Sequence, residues 1–457
     1  MAAALALSAC GPRFDRDLLA DEQRIVIEGG NGGQVVGDAP TTGVAGPGAT
    51  DPSPGATDPG VAGPAAPGPA APGGPSGPGS NPTTGPGPGP TSGPAGPVEA
   101  GPAPGVTDTT IKIGVLVPLS GAAGAIPPTW RNGIELYWDE LAEQGGIFGR
   151  NVELVIEDTE SNVSTATAKA VKLVDQDKVF TIFTLDRLEV HDAVGKRLEA
   201  VGMPNVMMQL PAPIPADWKH SFGISMDHQT QGRAIARFFK GRLNVSKVGF
   251  VREQTSALKP GTDAFEAEAA TQGLDVVADE TIDPNAGQYA NTVNAICSSG
   301  AEAVWLYMAP IPARAIMQQT TLCNPTWFAN SVSWNFDIAV AGETDPAMAF
   351  SPWAAYSSNR SQAFRQAWAN EYGSEPEDDI GYVGWAVDTV LHAMLENAGA
   401  NLGWNTFEHG IRTLRRAGDA EWTPLDFTGG GINGSNQAAL FQLGGGAWQM
   451  QGDFAAW

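Results

Sequence analysis

Ile111-Lys112-Ile113-Gly114-Val115-Leu116-Val117-Pro118, followed by Leu119-Ser120-Gly121-Ala122-Ala123-Gly124, decides the fold class. The first eight residues form a short, β-branched, nearly continuous apolar run, the pattern of a strand buried on both faces of a parallel sheet. The small-residue loop ends it. A helical pattern follows at about 129–144, with Ile134, Leu136, Trp138 and Leu141 on its apolar face, and Gly145-Gly146 stops it.

Outward from this unit the alternation repeats. Strands are expected at 152–157, 180–183 and 205–208, with helices near 164–175 and 192–201 between them. The pattern then restarts near Asp227: helices at about 229–242, 262–272, 289–298 and 313–321 alternate with strands at 247–251, 275–278, 303–308 and 326–329. Long helices follow at about 361–372, 380–398 and 405–416, and 427–457 is Gly-rich with short β signals. This βα alternation predicts an α/β fold of two doubly wound parallel-sheet lobes joined by a hinge. Ligands in such sheets bind beyond the carboxyl ends of the strands, so the expected site is the cleft between the lobes.

Several marks in order resemble the leucine/isoleucine/valine-binding protein family, periplasmic binding proteins of the type I fold. They are Ser120-Gly121, Asn132-Gly133, Gly145-Gly146-Ile147, Gly149 and Glu157-Asp158-Thr159. The resemblance implies the extracytoplasmic binding component of an ABC importer, with a small-molecule solute, a membrane permease as partner, three interlobe crossovers and hinge closure. A ligand-sensing receptor of the same fold is the alternative. In amino-acid-binding members, a Ser/Thr-rich loop after the third strand and an Ala-x-Thr turn after the fourth cradle the ligand's carboxylate and ammonium. Here those stretches read Asp186-Arg187-Leu188-Glu189-Val190-His191 and Gln209-Leu210-Pro211. Arg187 and His191 remain as donors for a carboxylate, which needs convergent hydrogen bonds in a buried cleft. Leucine and its close relatives are therefore not the expected cargo.

The remaining ligand candidates sit after strands: Ser120, Gly121 and Ile126 after the first, Asp186 after the third, and Gln209 and Leu210 after the fourth. In the second lobe they are Thr255, Ser256, Tyr307, Met308, Ser333 and Trp334; Tyr382 is expected to reach the cleft from the helix at 380–398. A plain turn at Ser120-Gly121, an ion pair between Asp186 and Arg187, and core packing of Tyr307 and Trp334 are the competing accounts. No nucleophile elbow, Walker-type loop or His-Glu-x-x-His is present, so neither catalysis nor a metal or other cofactor is expected.

Upstream of the fold, Leu7-Ser8-Ala9-Cys10 resembles the lipobox of bacterial lipoproteins, which implies a lipid on Cys10. No basic segment precedes it, so 1–10 reads as an incomplete signal peptide, and a start further upstream is left open. Residues 37–108 hold 19 of the 36 Pro and 19 of the 57 Gly, a stretch without aromatics that cannot offset its conformational entropy. Residues 11–108 are expected to be a disordered tether, within which the roughly 70 residues of the Pro/Gly-rich stretch span about 45 Å root-mean-square as a coil. Lobe one is then expected at 109–228 plus about 345–425, and lobe two at 229–344 plus about 426–457. The net charge of −24 disfavours nucleic acid as a partner. A monomer at the outer face of the cell membrane is expected. Cys297 ends one helix and Cys323 follows the next, a placement that favours a disulfide in an exported chain; three unrelated thiols are the alternative.

Overall fold

The computed structural model describes residues 98–121, 126–329, 344, 346–376, 378–418 and 421–457. Cys10, residues 11–97 of the expected tether, Ser333 and Trp334 lie outside them. Five strands form the first sheet: β1 (Thr110–Val117), β2 (Asn151–Asp158), β3 (Thr181–Thr184), β4 (Asn205–Met207) and β5 (Ser221–Gly223). They run parallel in the order β2-β1-β3-β4-β5. Helices α1 (Pro128–Glu143), α2 (Val163–Asp175) and α3 (Leu188–Val201) connect the first four strands. The apolar run at 111–118 does what its pattern requires: Ile113, Leu116 and Val117 have no solvent exposure.

The second sheet repeats the winding. Strands β6 (Lys247–Glu253), β7 (Asp275–Ile282), β8 (Ala303–Tyr307), β9 (Thr326–Ala329) and β10 (Ala347–Ser351) run parallel in the order β7-β6-β8-β9-β10. Helices α4 (His228–Phe238), α5 (Lys259–Gln272), α6 (Ala290–Ser299) and α7 (Pro310–Gln319) belong to this half. After α8 (Gln362–Tyr372), α9 (Ile380–Ala398) and α10 (Trp404–Thr413), the strands β11 (Arg415–Arg416) and β12 (Leu425–Asp426) pair as a short ribbon. The chain then returns to the second sheet: β13 (Gln437–Gly444) lies antiparallel to β10 and pairs with β14 (Ala447–Met450) and β15 (Ala455–Ala456).

Sheet membership therefore changes three times: between β5 and α4, after β10, and before β13. The third passage is tied to the first sheet's edge, where the Gly223 N–H donates to Ile432 O at 2.9 Å and the Trp422 indole N–H donates to Ile224 O at 2.7 Å. Helix α9 packs on α1 in the first half. The approach is close because Gly133 faces Gly381, and a Cβ on Gly133 would lie 1.9 Å from Gly381 O.

Three expectations need correction. Strands β5 and β10 are not foreseen, and 347–351 belongs to the second sheet rather than opening the returning segment of lobe one. The tether does not extend to 108: the chain is already held at Ala100, whose carbonyl accepts the Asn405 N–H at 2.9 Å, and at Pro102, whose carbonyl accepts the Trp404 N–H at 2.7 Å. Gly101 and Gly105 permit this path with φ of 74° and 69°, values that a side chain would strain. Cys297 and Cys323 are bonded to each other, with Cα atoms 5.3 Å apart. No helix among the described residues is long and apolar enough to cross a membrane.

Candidate functional site

Loops from both sheets enclose a cavity of about 200 Å³. In each sheet the strand order reverses between the first strand and the third, between β1 and β3 and between β6 and β8. A crevice opens at such a switch point in doubly wound sheets. The cavity residues follow these strands: Pro118 and Ile126 after β1, Leu185 to Glu189 after β3, Thr255 and Leu258 after β6, Met308 to Pro310 after β8. Two duplicated switch points thus share one cavity.

Its polar groups are paired across the two halves. Arg187 is the residue before α3, in extended backbone with φ −68° and ψ 156°. Its Nη2 donates to Glu253 Oε2 at 2.5 Å. Glu253 closes β6, and its other carboxylate oxygen accepts the Ala309 N–H at 2.8 Å. A second tie runs in the opposite sense: the Thr255 hydroxyl donates to Glu189 in α3. Asp186 accepts from the Thr159 hydroxyl, from the Ser161 hydroxyl at 3.2 Å and from the Arg187 N–H at 2.7 Å. Burial pushes its carboxyl up, and these hydrogen bonds only partly oppose that.

At the back of the cavity His228 opens α4, behind the N-cap Asp227, whose side chain accepts the Thr230 N–H at 3.0 Å. His228 Nε2 lies 2.6 Å from Gln209 Oε1, and Nδ1 meets the Tyr307 hydroxyl. Burial, with His191 nearby, lowers its pKa to about 3, so the imidazole is neutral at pH 7. A neutral ring has one donor and one acceptor. Since the Gln209 oxygen only accepts, Nε2 carries the proton and Nδ1 accepts from Tyr307. His191 lies behind the Asp186 loop, where Nε2 accepts the Asp186 N–H at 3.1 Å, and burial lowers its pKa to about 4.

Of the residues expected at the site, Ile126, Asp186, Arg187, Gln209, Thr255 and Met308 line the cavity. The others do not. Ser120 and Gly121 form an exposed turn on Asp158, whose Oδ2 accepts the Ser120 hydroxyl at 2.5 Å. Burial raises the Asp158 carboxyl, but that bond and the backbone N–H donors of Glu160, Leu119 and Ser120 hold it below the usual range. Leu210 is buried with Met207 and Trp218. Ser256 is exposed, with its carbonyl taking the Lys259 N–H. Tyr307 stands one layer back, stacked on Trp305 at 4.3 Å and bonded to His228. Tyr382 is fully buried against Phe364 in the helical layer. Glu253, Glu189 and His228 are cavity residues that were not expected. The signal for Glu253 was its position two residues past the apolar run that ends at Val251.

A family model described as "Periplasmic binding protein" matches residues 110–447. The chain belongs to the periplasmic binding protein family. An amino acid binding protein of Pseudomonas aeruginosa is 25% identical over 202 residues, 43% of this chain and 53% of that protein. The chain therefore matches about half the length of that relative. A fatty acid ABC transporter substrate-binding protein from Thermomonospora curvata shares the fold with a TM-score of 0.69 at 18% identity, covering 78% of this chain and 95% of that one. A solute-binding protein of an ABC transporter from R. palustris, solved with benzoate, gives 0.65 at 20% identity, covering 76% of this chain and 98% of that one. This periplasmic binding protein has the type I fold that the Ser120 to Thr159 marks implied, and two of those marks now have physical causes. Gly133 allows the α1–α9 approach. Gly121, at φ 113°, sits where a Cβ would lie 2.5 Å from Glu160 O.

Proposed function

We propose that this chain is an extracytoplasmic solute-binding protein of an ABC importer. It captures a small polar or aromatic solute between its two sheets and passes it to a membrane permease. The observation that carries this reading is the cavity at the paired switch points, bridged by Arg187 from one half and Glu253 from the other. A binding protein that closes on its ligand needs groups from both sides to meet at one place. The relatives named above carry different solutes, so the cargo is set by the loops around the cleft and not by the fold. Here the loops carry Asp186 to His191 and Gln209-Leu210 in place of small hydroxyls, which favours a cargo other than a branched-chain amino acid.

The proposal extends to placement. Leu7-Ser8-Ala9-Cys10 supports a lipid on Cys10, and the Pro/Gly-rich stretch supports a tether that lifts a monomeric receptor away from the outer face of the membrane. In this reading lobe one is built on the first sheet with α8–α10, and lobe two on the second sheet. The site binds without turnover.

A thermal-shift screen of the whole chain against amino acids, amides, aromatic acids, amines and sugars tests the reading. A solute at 100 times its dissociation constant adds about 2.7 kcal/mol to folding. If no small solute stabilises the protein, capture is refuted. Mass spectrometry of the protein from its native membrane should find diacylglycerol on Cys10; an unmodified Cys10 removes the anchor and leaves capture standing.

A further inference from the structure

A carboxylate-bearing solute would need donors that converge in the cleft and are not already spent. Among the described residues, four cavity donors are bonded to acids. Arg187 donates to Glu253, the Ala309 N–H to Glu253, the Thr255 hydroxyl to Glu189, and the Ser161 hydroxyl to Asp186. His228 is neutral and bonded at both ring nitrogens. Glu253 is the fixed member of its pair: its side chain is 5% exposed and both oxygens are bonded. A solute carboxylate that displaced Glu253 from Arg187 would leave Glu253 buried without its cation, and breaking a buried pair in that way is strongly unfavourable.

Charge points the same way. Asp186, Glu189 and Glu253 face one guanidinium around the cavity. A cleft lined by one sign of charge between low-dielectric walls concentrates solutes of the opposite sign. The rest of the wall is apolar, with Pro118, Leu185, Leu188, Leu258 and Met308. We propose that Glu253 determines specificity: by holding Arg187 it withdraws the cation a carboxylate would need, and the cleft selects a positively charged solute with an apolar body and no carboxylate, an amine or amidinium. The inference rests on solute capture at this cleft and narrows its cargo.

Isosteric probes test it on the whole chain by calorimetric titration. Benzamidine, benzamide and benzoate share a shape and differ in charge; leucinamide and leucine differ in whether a carboxylate is present. In the unmodified protein the cationic member of each set should bind at least about tenfold tighter than its carboxylate partner, with affinity falling as salt rises. Glu253→Gln, which removes the acid that occupies Arg187, should shift the benzamidine-to-benzoate ratio toward benzoate by about tenfold or more. Benzoate or leucine binding more tightly than its partner in the unmodified protein overturns the charge selection and leaves capture intact. So does binding by neutral sugars alone, or a ratio that Glu253→Gln does not move. Binding by no solute of any class refutes capture, and the inference with it. Should Glu253→Gln fail to fold, Arg187→Gln serves: cation binding should persist or strengthen, and its loss overturns the proposal.

Discussion

Arg187 and Glu253 join the two halves of the molecule through one guanidinium–carboxylate contact of 2.5 Å, between the loop after β3 and the end of β6. The Thr255–Glu189 hydrogen bond lies beside it, with donor and acceptor exchanged between the halves. The segments 187–189 and 253–255 therefore each supply one donor and one acceptor to the junction.

Replacing Arg187 with Met should cost about 1–3 kcal/mol. A fully buried partner loss costs about 3–5 kcal/mol, and the Arg187 side chain, being 36% exposed, was partly screened by water already. Urea denaturation measures the loss. The same variant removes one of the two ties, so small-angle scattering of the solute-free protein should show a larger radius of gyration. An unchanged radius would mean that the halves are held by other contacts.

His228 makes stability depend on acidity. Burial sets its folded pKa at about 3, against about 6.5 when unfolded. The unfolded chain thus binds the proton more readily. The neutral ring's contribution is fully present above pH 6.5 and drains away as pH falls from 6.5 toward 3. At pH 4.5 the loss is about 2–3 kcal/mol. Asp379 acts in the opposite direction, because burial raises it to about 6, so the informative quantity is a difference between proteins. His228→Gln should be less stable than the unmodified protein at pH 7.5, and the gap should narrow by about 2 kcal/mol at pH 4.5. Parallel melting profiles for the two proteins across that range would rule out the neutral-ring account.

Gly133→Ala tests the α1–α9 contact. The added Cβ would lie 1.9 Å from Gly381 O, a backbone atom that no rotamer change can move. The helices must separate, at a cost of about 1–3 kcal/mol for overpacking. Gly145→Ala is the control for strain alone, since its Cβ meets nothing within 4 Å while its φ is 102°. Denaturant midpoints should place Gly133→Ala below Gly145→Ala.

The strands and helices with long apolar patterns were legible in the sequence; the pairings that make the site were not. The helix at 380–398 was bounded correctly because its pattern runs unbroken between Asp379 and Gly399. That same helix misled on Tyr382. Twelve of its residues are buried, so no exposed stripe told the core face from the cleft face. Strand β10 reads Ala-Met-Ala-Phe-Ser, and alanine carries little strand preference. Its place comes from parallel pairing with β9 and antiparallel pairing with β13, which are relations that a local reading cannot see. Arg187 was found because it follows a strand. Glu253 was missed because its meaning depends on a partner 66 positions away. Once Glu253 claims Arg187, the guanidinium that looked available to a carboxylate is occupied.

The Cys297–Cys323 bond offers a test of the second half by itself. It closes a loop across a sequence separation of 26 residues, and the chain-entropy model gives such a loop about 3 kcal/mol. The loop contains β8 and the cavity residues Met308, Ala309 and Pro310, so the bond restrains the segment that presents the Ala309 N–H to Glu253. Replacing both cysteines with alanine should lower the unfolding free energy by about 3 kcal/mol in urea denaturation. The unmodified protein with dithiothreitol should match the variant, and the variant should not respond to the reductant. Solute affinity should fall less than stability, because in the folded protein β8 stays paired with both β6 and β9. If reductant leaves the unmodified protein's midpoint where it was, the bond contributes nothing to folding and the sheet alone holds this wall of the cleft.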